Sequence, residues 1–239
     1  MTSIKLPRAL ILAASVVFLV LPPATCKNVK TLFDTGVDLY ARRQYRLSLR
    51  AFQEVLTIAP KFKEALIMKG RCRIRLDESG HALADFNEVI LLDANSADAY
   101  LYRAEAYCDL EDTAKAIADC TKSLSLKRSQ RGYHMRGKLF LQAGNYSKAI
   151  ADLDQALKLG PIEANMLLDR AEAFAKEKKL PQSICDCTRA LQLPAIENQD
   201  IVRAYSDRAS AYEKMGKKDL ALKDRKTIQA KAKLEWGLP

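Results

Sequence analysis

The stretch ADAYLYRAEAYCDLEDTAKAIADCTKSLSLKRS, residues 97–129, contains two helix-length segments joined by a polar turn around Glu111 and Asp112. Apolar and small residues recur three or four positions apart in each segment, which is the spacing of one face of an α-helix. Each segment contains a central small residue, Ala104 in the first and Ala116 in the second. Because small residues let two helix axes cross closely, the stretch predicts an antiparallel helical hairpin.

Equivalent small residues recur along the whole chain. The first series is spaced by 34, 34, 33, 34 and 38 residues, and the second series follows it by twelve positions every time. A fixed period of this length is typical of stacked helical repeats, so it predicts one architecture for residues 29–235. The first series is Gly36, Gly70, Ala104, Gly137, Ala171 and Ala209, and the second is Ser48, Ala82, Ala116, Ala149, Ser183 and Ala221.

This pattern resembles the tetratricopeptide repeat (TPR), which places a large residue, a small residue, an aromatic residue, then Ala, Phe and Pro over 34 positions. The Trp of the family pattern is absent, and Leu or Tyr takes its place in every unit. The resemblance implies an all-α fold, a right-handed α-solenoid of six helix-turn-helix units after an N-terminal signal segment. The implied units are 29–62, 63–96, 97–129, 130–163, 164–201 and 202–235.

A charged pair also recurs with the repeat. A Lys or Arg precedes the central small residue of units two to six, and an Asp follows that basic residue 16 positions later each time. In an antiparallel hairpin a residue 16 positions later returns to the same height, so we expect each pair to form a structural salt bridge within its own unit. The pairs are Lys69 with Asp85, Arg103 with Asp119, Arg136 with Asp152, Arg170 with Asp186 and Arg208 with Asp224.

The first 26 residues have the order of a secretory signal. Lys5 and Arg8 precede an uninterrupted apolar run from Ala9 to Leu21, and small residues Ala24 and Cys26 come just before Lys27. We therefore predict a signal peptide over 1–26, a mature TPR domain over 27–239, and an exported protein that is periplasmic or secreted. The alternatives are an uncleaved membrane anchor and a lipid-modified Cys26. Contact with a membrane is expected only through this segment.

The composition and motifs favour a binding protein over an enzyme. The net charge is +10, but the basic residues are spread over predicted helix faces without the interleaved aromatic residues of a nucleic-acid surface. The sequence contains no HExxH, GxSxG, GxGxxG or Walker-type motif. We therefore expect a non-enzymatic monomer with no cofactor, no bound metal and no nucleic acid. Its partner is expected to be another protein, of unknown identity.

The resemblance implies that the first helix of each unit lines a concave groove that binds a peptide or a helix of the partner. In the family's register, the groove of units one to three combines apolar residues with two arginines, which suits a segment carrying apolar anchors beside acids. Units four to six contribute mostly polar residues, including Lys138, Gln142 and Glu172. The predicted groove residues are Phe33, Val37, Tyr40, Ile67, Arg71, Ile74, Arg75 and Leu101.

Two alternatives bear on this groove. Phe33, Ile67 and Leu101 could instead complete the packing between adjacent first helices, because aliphatic stripes at helical spacing are more often core than site. The protein could also be a membrane-anchored TPR scaffold or an assembly factor of the cell envelope.

Some family members hold the C-terminal carboxylates of chaperones with a clamp of Lys, Asn and Arg. Units one to three lack these residues, and units four to six add Asp169 and Asp207, so we predict no such clamp.

Overall fold

The computed structural model describes the backbone of residues 24–236 and the side chains of residues 29–231. Most of the predicted signal peptide and the last three residues lie outside the described residues. Within the described part, the chain forms twelve α-helices and no β-strand. The helices are α1 (Ala24–Ala41), α2 (Tyr45–Ile58), α3 (Lys63–Arg75), α4 (Ser79–Leu92), α5 (Ala97–Asp109), α6 (Thr113–Leu126), α7 (Gln130–Gln142), α8 (Tyr146–Leu159), α9 (Ala164–Lys176), α10 (Leu180–Leu191), α11 (Asn198–Lys214) and α12 (Lys218–Trp236).

The helices form six hairpins that stack in chain order. The two helices of a hairpin pack together, and the second helix of each hairpin packs against the first helix of the next. Each hairpin turn contains one residue with positive φ at an equivalent position, which is Gly144 in the fourth hairpin and Gly216 in the sixth. The described chain is therefore the predicted all-α solenoid, and α1, α3, α5, α7, α9 and α11 together form a surface that we name the first-helix face.

The small residues of the repeat lie where the two helices of a hairpin meet. A Cβ atom added to Gly70 would lie 2.6 Å from the Phe86 ring, and one added to Gly36 would lie 2.8 Å from the Phe52 ring. Both phenylalanines are fully buried. The close approach of ring and backbone explains why this position admits only Gly or Ala in all six units.

The five predicted charged pairs form within their own hairpins, as the spacing predicted. The aspartates are buried, and in the arginine pairs the guanidinium forms two parallel hydrogen bonds with the carboxylate. Such a bidentate pair fixes the height of one helix against the other. The closest distances are 2.8 Å for Lys69–Asp85, 2.7 Å for Arg103–Asp119, 2.7 Å for Arg136–Asp152, 2.6 Å for Arg170–Asp186 and 2.7 Å for Arg208–Asp224.

One junction between hairpins differs from the others. Direct contacts join α1 to α3, α3 to α5, α7 to α9 and α9 to α11, but the contact between α5 and α7 is weaker. The linker between α6 and α7, residues 127–129, is also shorter than the other linkers between hairpins. The first-helix face therefore opens between α5 and α7.

Candidate functional site

Two of the predicted groove residues are core residues. Ile74 is 6% exposed and packs with Phe86, and Leu101 is 5% exposed and packs with Cys120. Their side chains pack between the two helices of a hairpin and between neighbouring hairpins. Ile74 and Leu101 therefore contribute to the core, and the groove contact predicted for them stays a prediction.

Phe33 and Ile67 also contribute to packing, although both are half-buried. The Phe33 ring meets the Phe52 ring edge-on at 5.5 Å between centroids and the Phe62 ring at 5.0 Å. Ile67 packs against the buried cluster around Val89. The structure thus supports the packing interpretation for Phe33, Ile67 and Leu101.

The other predicted residues lie at the surface, and two of them belong to a ladder of stacked side chains. The Arg71 guanidinium lies between two rings, 4.7 Å from the Tyr40 centroid and 4.8 Å from the Tyr102 centroid. Arg131 stacks on Tyr102 as well, at 4.6 Å. Each of the first four hairpins contributes one member, so the cation–aromatic ladder is Tyr40, Arg71, Tyr102 and Arg131. Val37 is 40% exposed and lies on α1, outside the ladder.

Arg71 is the member of the ladder that lacks a counter-ion. Arg73 and Arg75, on the same helix, form ion pairs with carboxylates, but Arg71 forms none within the described residues. Its Nη1 donates a hydrogen bond to the Met68 sulfur at 3.1 Å, and its Nε is buried without a hydrogen-bond partner. Because the two rings hold the guanidinium in place, Arg71 presents a fixed positive charge with unused donors.

Arg71 lies at the rim of a pocket between α3, α5 and α7. The pocket has a volume of about 480 Å³, enough to hold a side chain of a partner. Its apolar lining is Cys108, Met135 and Leu139, and its polar lining is Arg71, Arg75, Glu105, Arg131, His134, Lys138 and Gln142.

The rim of this pocket carries an excess of positive charge. Its one carboxylate, Glu105, lies 3.5 Å from Arg75 and 2.5 Å from Arg131. Arg71 and Lys138 form no ion pair within the described residues, and Lys138 is exposed. Four permanent cations therefore surround one carboxylate, and the pocket attracts anionic groups.

The Cys108 thiol does not give the pocket nucleophilic chemistry. Burial raises the pKa of Cys108 to about 11. The thiol is therefore protonated at neutral pH and behaves as a small apolar group in the pocket.

The first-helix face beyond the pocket is closed by an ion network. Asp169 is 5% exposed, and its two oxygens accept hydrogen bonds from His134 Nε2 at 2.8 Å and from Arg203 Nη1 at 2.9 Å. Burial alone would raise the pKa of Asp169, but these two partners outweigh burial and hold the pKa below its ordinary value. Arg203 also lies 3.1 Å from Glu172 and 3.7 Å from Asp207. His134 therefore connects the pocket to this network.

The predicted groove residues include Arg71 and Arg75, which line the pocket. They do not include Tyr102, Glu105, Arg131 or His134, and Lys138 was assigned no binding role. The available signal was an aromatic or basic residue on the first helix of each of the first four units, 31, 31 and 29 positions apart. The spacing of 33 residues in the third unit, against 34 in its neighbours, also marks the junction where the pocket opens.

Comparisons with known proteins agree with the repeat geometry. Residues 134–196 match the family model of the tetratricopeptide repeat. The chain is 23% identical over 220 residues to DnaJ homolog subfamily C member 3 of Gallus gallus, an alignment covering 85% of this chain and 43% of that protein. The chain thus spans less than half the length of this curated relative.

Solved structures share the fold at lower identity. The pilF structure from Pseudomonas aeruginosa superposes with a TM-score of 0.75 at 14% identity, covering 90% of this chain and 95% of that one. YrrB, described as a TPR protein with an unusual peptide-binding site, superposes with a TM-score of 0.64 at 17% identity, covering 74% of this chain and 90% of that one.

The fold defines the class of the protein. Six stacked helical hairpins with small residues at each crossing make it an all-α solenoid, a fold typical of scaffolds that bind other proteins. Residues 134–196 match the tetratricopeptide repeat family, and the whole described chain has the fold of tetratricopeptide repeat proteins. Within the described residues, no helix has the length and apolar character to cross a membrane, and no cluster of three or more His, Cys, Asp or Glu residues is arranged to hold a metal ion.

Proposed function

We propose that this protein is an interaction module of an exported compartment that binds a segment of another protein on the first-helix face. An extended or helical segment lies along the face and inserts an apolar side chain, with an acidic neighbour, into the pocket between α3, α5 and α7. The observation that carries the proposal is the unpaired Arg71 guanidinium, held between Tyr40 and Tyr102 at the rim of that pocket.

The chemistry of the pocket determines the partner's side chains. Met135, Leu139 and the protonated Cys108 offer an apolar surface that an aliphatic or aromatic side chain can cover. Arg71 and Lys138 offer donors and positive charge to a carboxylate. A basic segment would meet four cations, so the pocket rejects it.

Export is supported by the order of charged, apolar and small residues in the N-terminal 26 residues. The alternative is a membrane-anchored scaffold that retains this segment. N-terminal sequencing of the mature protein distinguishes the two, because a chain starting near Lys27 is exported and cleaved, and a chain retaining residues 1–26 is anchored.

Peptide binding tests the proposal directly. The probes are short fluorescent peptides, acetylated and amidated, that carry one Leu or Phe flanked by Asp or Glu, together with versions in which Asn and Gln or Lys replace the acids. We expect fluorescence anisotropy to show binding of the acidic set and none of the basic set. Equal binding of all sets contradicts the charge argument, and binding of none contradicts the proposed function.

Two variants locate the binding site. Lys138→Glu reverses a charge in the pocket, and Lys158→Glu is its matched control on α8, because both lysines are exposed and neither forms an ion pair within the described residues. A charge-assisted hydrogen bond contributes about 1.5–3 kcal/mol, so we expect Lys138→Glu to weaken binding about tenfold or more. Lys158→Glu should leave the affinity unchanged. Similar losses in both variants would place the site elsewhere.

A further inference from the structure

We infer that Asn145, in the turn between α7 and α8, is a site of N-linked glycosylation. Asn145, Tyr146 and Ser147 form an Asn-X-Ser acceptor triplet. The donor is an oligosaccharide carried on a lipid pyrophosphate, which a chain meets only after it enters a secretory compartment. The inference therefore rests on the export that is part of the proposed function.

The position of the triplet in the fold leaves room for a sugar. No other asparagine of the 239 residues has Ser or Thr two positions later. Asn145 and Ser147 are both exposed, and Asn145 is the last residue of the turn before α8. A glycan on this turn extends into solvent and displaces no side chain of the core.

The backbone of the turn does not depend on the side chain of Asn145. The Asn145 N–H donates to the Phe140 carbonyl at 2.8 Å, and the Asn145 carbonyl accepts from the Ala149 N–H at 3.0 Å. Gly144, with φ at 75°, reverses the chain direction. A substituent on the side-chain amide nitrogen, Nδ2, breaks none of these contacts.

The side chain of Asn145 is also unused at a position where it ordinarily caps a helix. An Asn just before a helix commonly accepts a hydrogen bond from the first turn. Asp112, the equivalent residue of the third hairpin, accepts one from the Lys115 N–H at 3.1 Å. Asn145 forms no such bond with α8, and its side chain has no other hydrogen-bond partner within the described residues. Glycosylation therefore costs the fold no hydrogen bond.

The reaction is a substitution at the anomeric carbon of the donor sugar. Asn145 Nδ2 forms the new bond to this carbon and loses one proton. The bond from the carbon to the pyrophosphate oxygen breaks, and the lipid pyrophosphate leaves with the electron pair. Ser147 supplies the hydroxyl of the acceptor triplet. In the folded chain this hydroxyl donates to Glu177 in the next hairpin, so we expect transfer before these two hairpins pack together.

The test uses the full chain with its N-terminal segment. It is translated in the presence of secretory membranes that carry the lipid-linked oligosaccharide, and the product is treated with an amidase that removes N-linked glycans. We expect a gel shift of one glycan that the amidase reverses, leaving Asp in place of Asn145 in mass spectrometry. Asn145→Gln and Ser147→Ala should abolish the shift. Ser147→Thr, which keeps the hydroxyl, should retain it.

A second acceptor separates failure of the inference from failure of the proposed function. Asn95 is exposed in the linker between α4 and α5, and Ala97→Thr completes a triplet there. We expect this variant to carry two glycans. If Asn95 is modified and Asn145 is not, the inference is overturned and export stands. If neither is modified, the exported compartment of the proposed function is overturned together with the inference.

Discussion

The two halves of the first-helix face surround an equivalent arginine, Arg131 in one and Arg203 in the other, with different side chains. In the third and fourth hairpins, Arg131 pairs with Glu105 and stacks on Tyr102. Two repeats later, at equivalent positions, Arg203 pairs with Glu172 and with Asp169. The repeat scaffold is the same in both places, and the main difference is Tyr102 in one and Asp169 in the other.

That difference determines whether the neighbouring arginine is neutralised. A tyrosine ring attracts a guanidinium but does not neutralise it, so Arg71, which forms no ion pair within the described residues, keeps its positive charge at the pocket. A buried aspartate neutralises Arg203 and draws α7, α9 and α11 together through His134. At this repeat position a buried carboxylate neutralises the neighbouring arginine, whereas an aromatic residue leaves the charge that the proposed function requires.

The largest loss of stability is expected from removing Asp169, the carboxylate at the centre of the ion network of α7, α9 and α11. Asp169→Ala removes the buried carboxylate that His134 and Arg203 share. Because Arg203 keeps Glu172 and Asp207, the loss is that of charge-assisted hydrogen bonds, about 1.5–3 kcal/mol of the free energy of unfolding. Urea denaturation followed by circular dichroism measures this loss. The matched control is Asp38→Ala, which removes an exposed partner of Arg42 and should change stability little. Equal losses in the two variants would mean that burial of the network contributes nothing.

A smaller loss of stability is expected at low pH. Because its partners hold the pKa of Asp169 below the ordinary value near 3.8, the folded state favours the charged carboxylate. This stabilisation is complete well above pH 3.8 and is lost as the pH falls through the lower pKa of the folded chain. The pKa of Asp207 is raised by burial, so acid acts on Asp207 in the opposite direction.

The contribution of Asp169 is isolated by subtraction. The stability difference between the unmodified protein and Asp169→Asn should be constant near pH 6 and should shrink as the pH falls below about 4. Because the Asp169 charge is one cause of the raised pKa of Asp207, the comparison is made in an Asp207→Asn background, where Asp207 does not titrate. A difference that grows on acidification would show that the pKa of Asp169 is raised in the folded state.

The sequence predicts the scaffold because every hairpin must satisfy the same packing rule. Gly70 against Phe86 and the buried Arg103–Asp119 pair are contacts within one repeat, at fixed spacing along the chain. Periodicity therefore reveals them without coordinates.

The site depends instead on contacts between repeats, which periodicity does not specify. Arg71, Tyr102 and Arg131 meet across three hairpins, and whether they stack is decided by the relative rotation of those hairpins. The opening between α5 and α7 arises from weak helix contact at one junction. Leu101 and Ile74 were placed in the groove because their register position faces it in the family, but here their side chains fill gaps in the core.

A substitution of Tyr102 tests whether the residue at this repeat position determines the binding of acidic peptides. Tyr102→Asp places a carboxylate beside Arg71 and Arg131, which line the pocket, so we expect binding of the acidic peptides to fall about tenfold or more. Stability should decrease by about 1 kcal/mol, because the stacking of Tyr102 on Phe86 is lost. Tyr102→Asn is the matched control, since it loses the same ring without adding charge. If both variants bind equally well, the charge of the pocket does not determine its ligand.

The smallest effect concerns the end of the cation–aromatic ladder. Tyr40→Leu keeps an apolar side chain of similar bulk and removes one of the two rings that hold the Arg71 guanidinium. A cation–aromatic contact at a partly exposed site is worth about 0.5–1 kcal/mol, so a double-mutant cycle of Tyr40→Leu with Arg71→Ala should give a coupling of that size in urea denaturation. Because Tyr40 lies beyond the pocket, Tyr40→Leu acts on binding through the arginines that Tyr40 contacts, Arg71 and Arg75, and the affinity for acidic peptides should fall by less than in Lys138→Glu. A coupling near zero would mean that Tyr40 does not position Arg71, and Tyr102 alone would then hold the guanidinium at the rim.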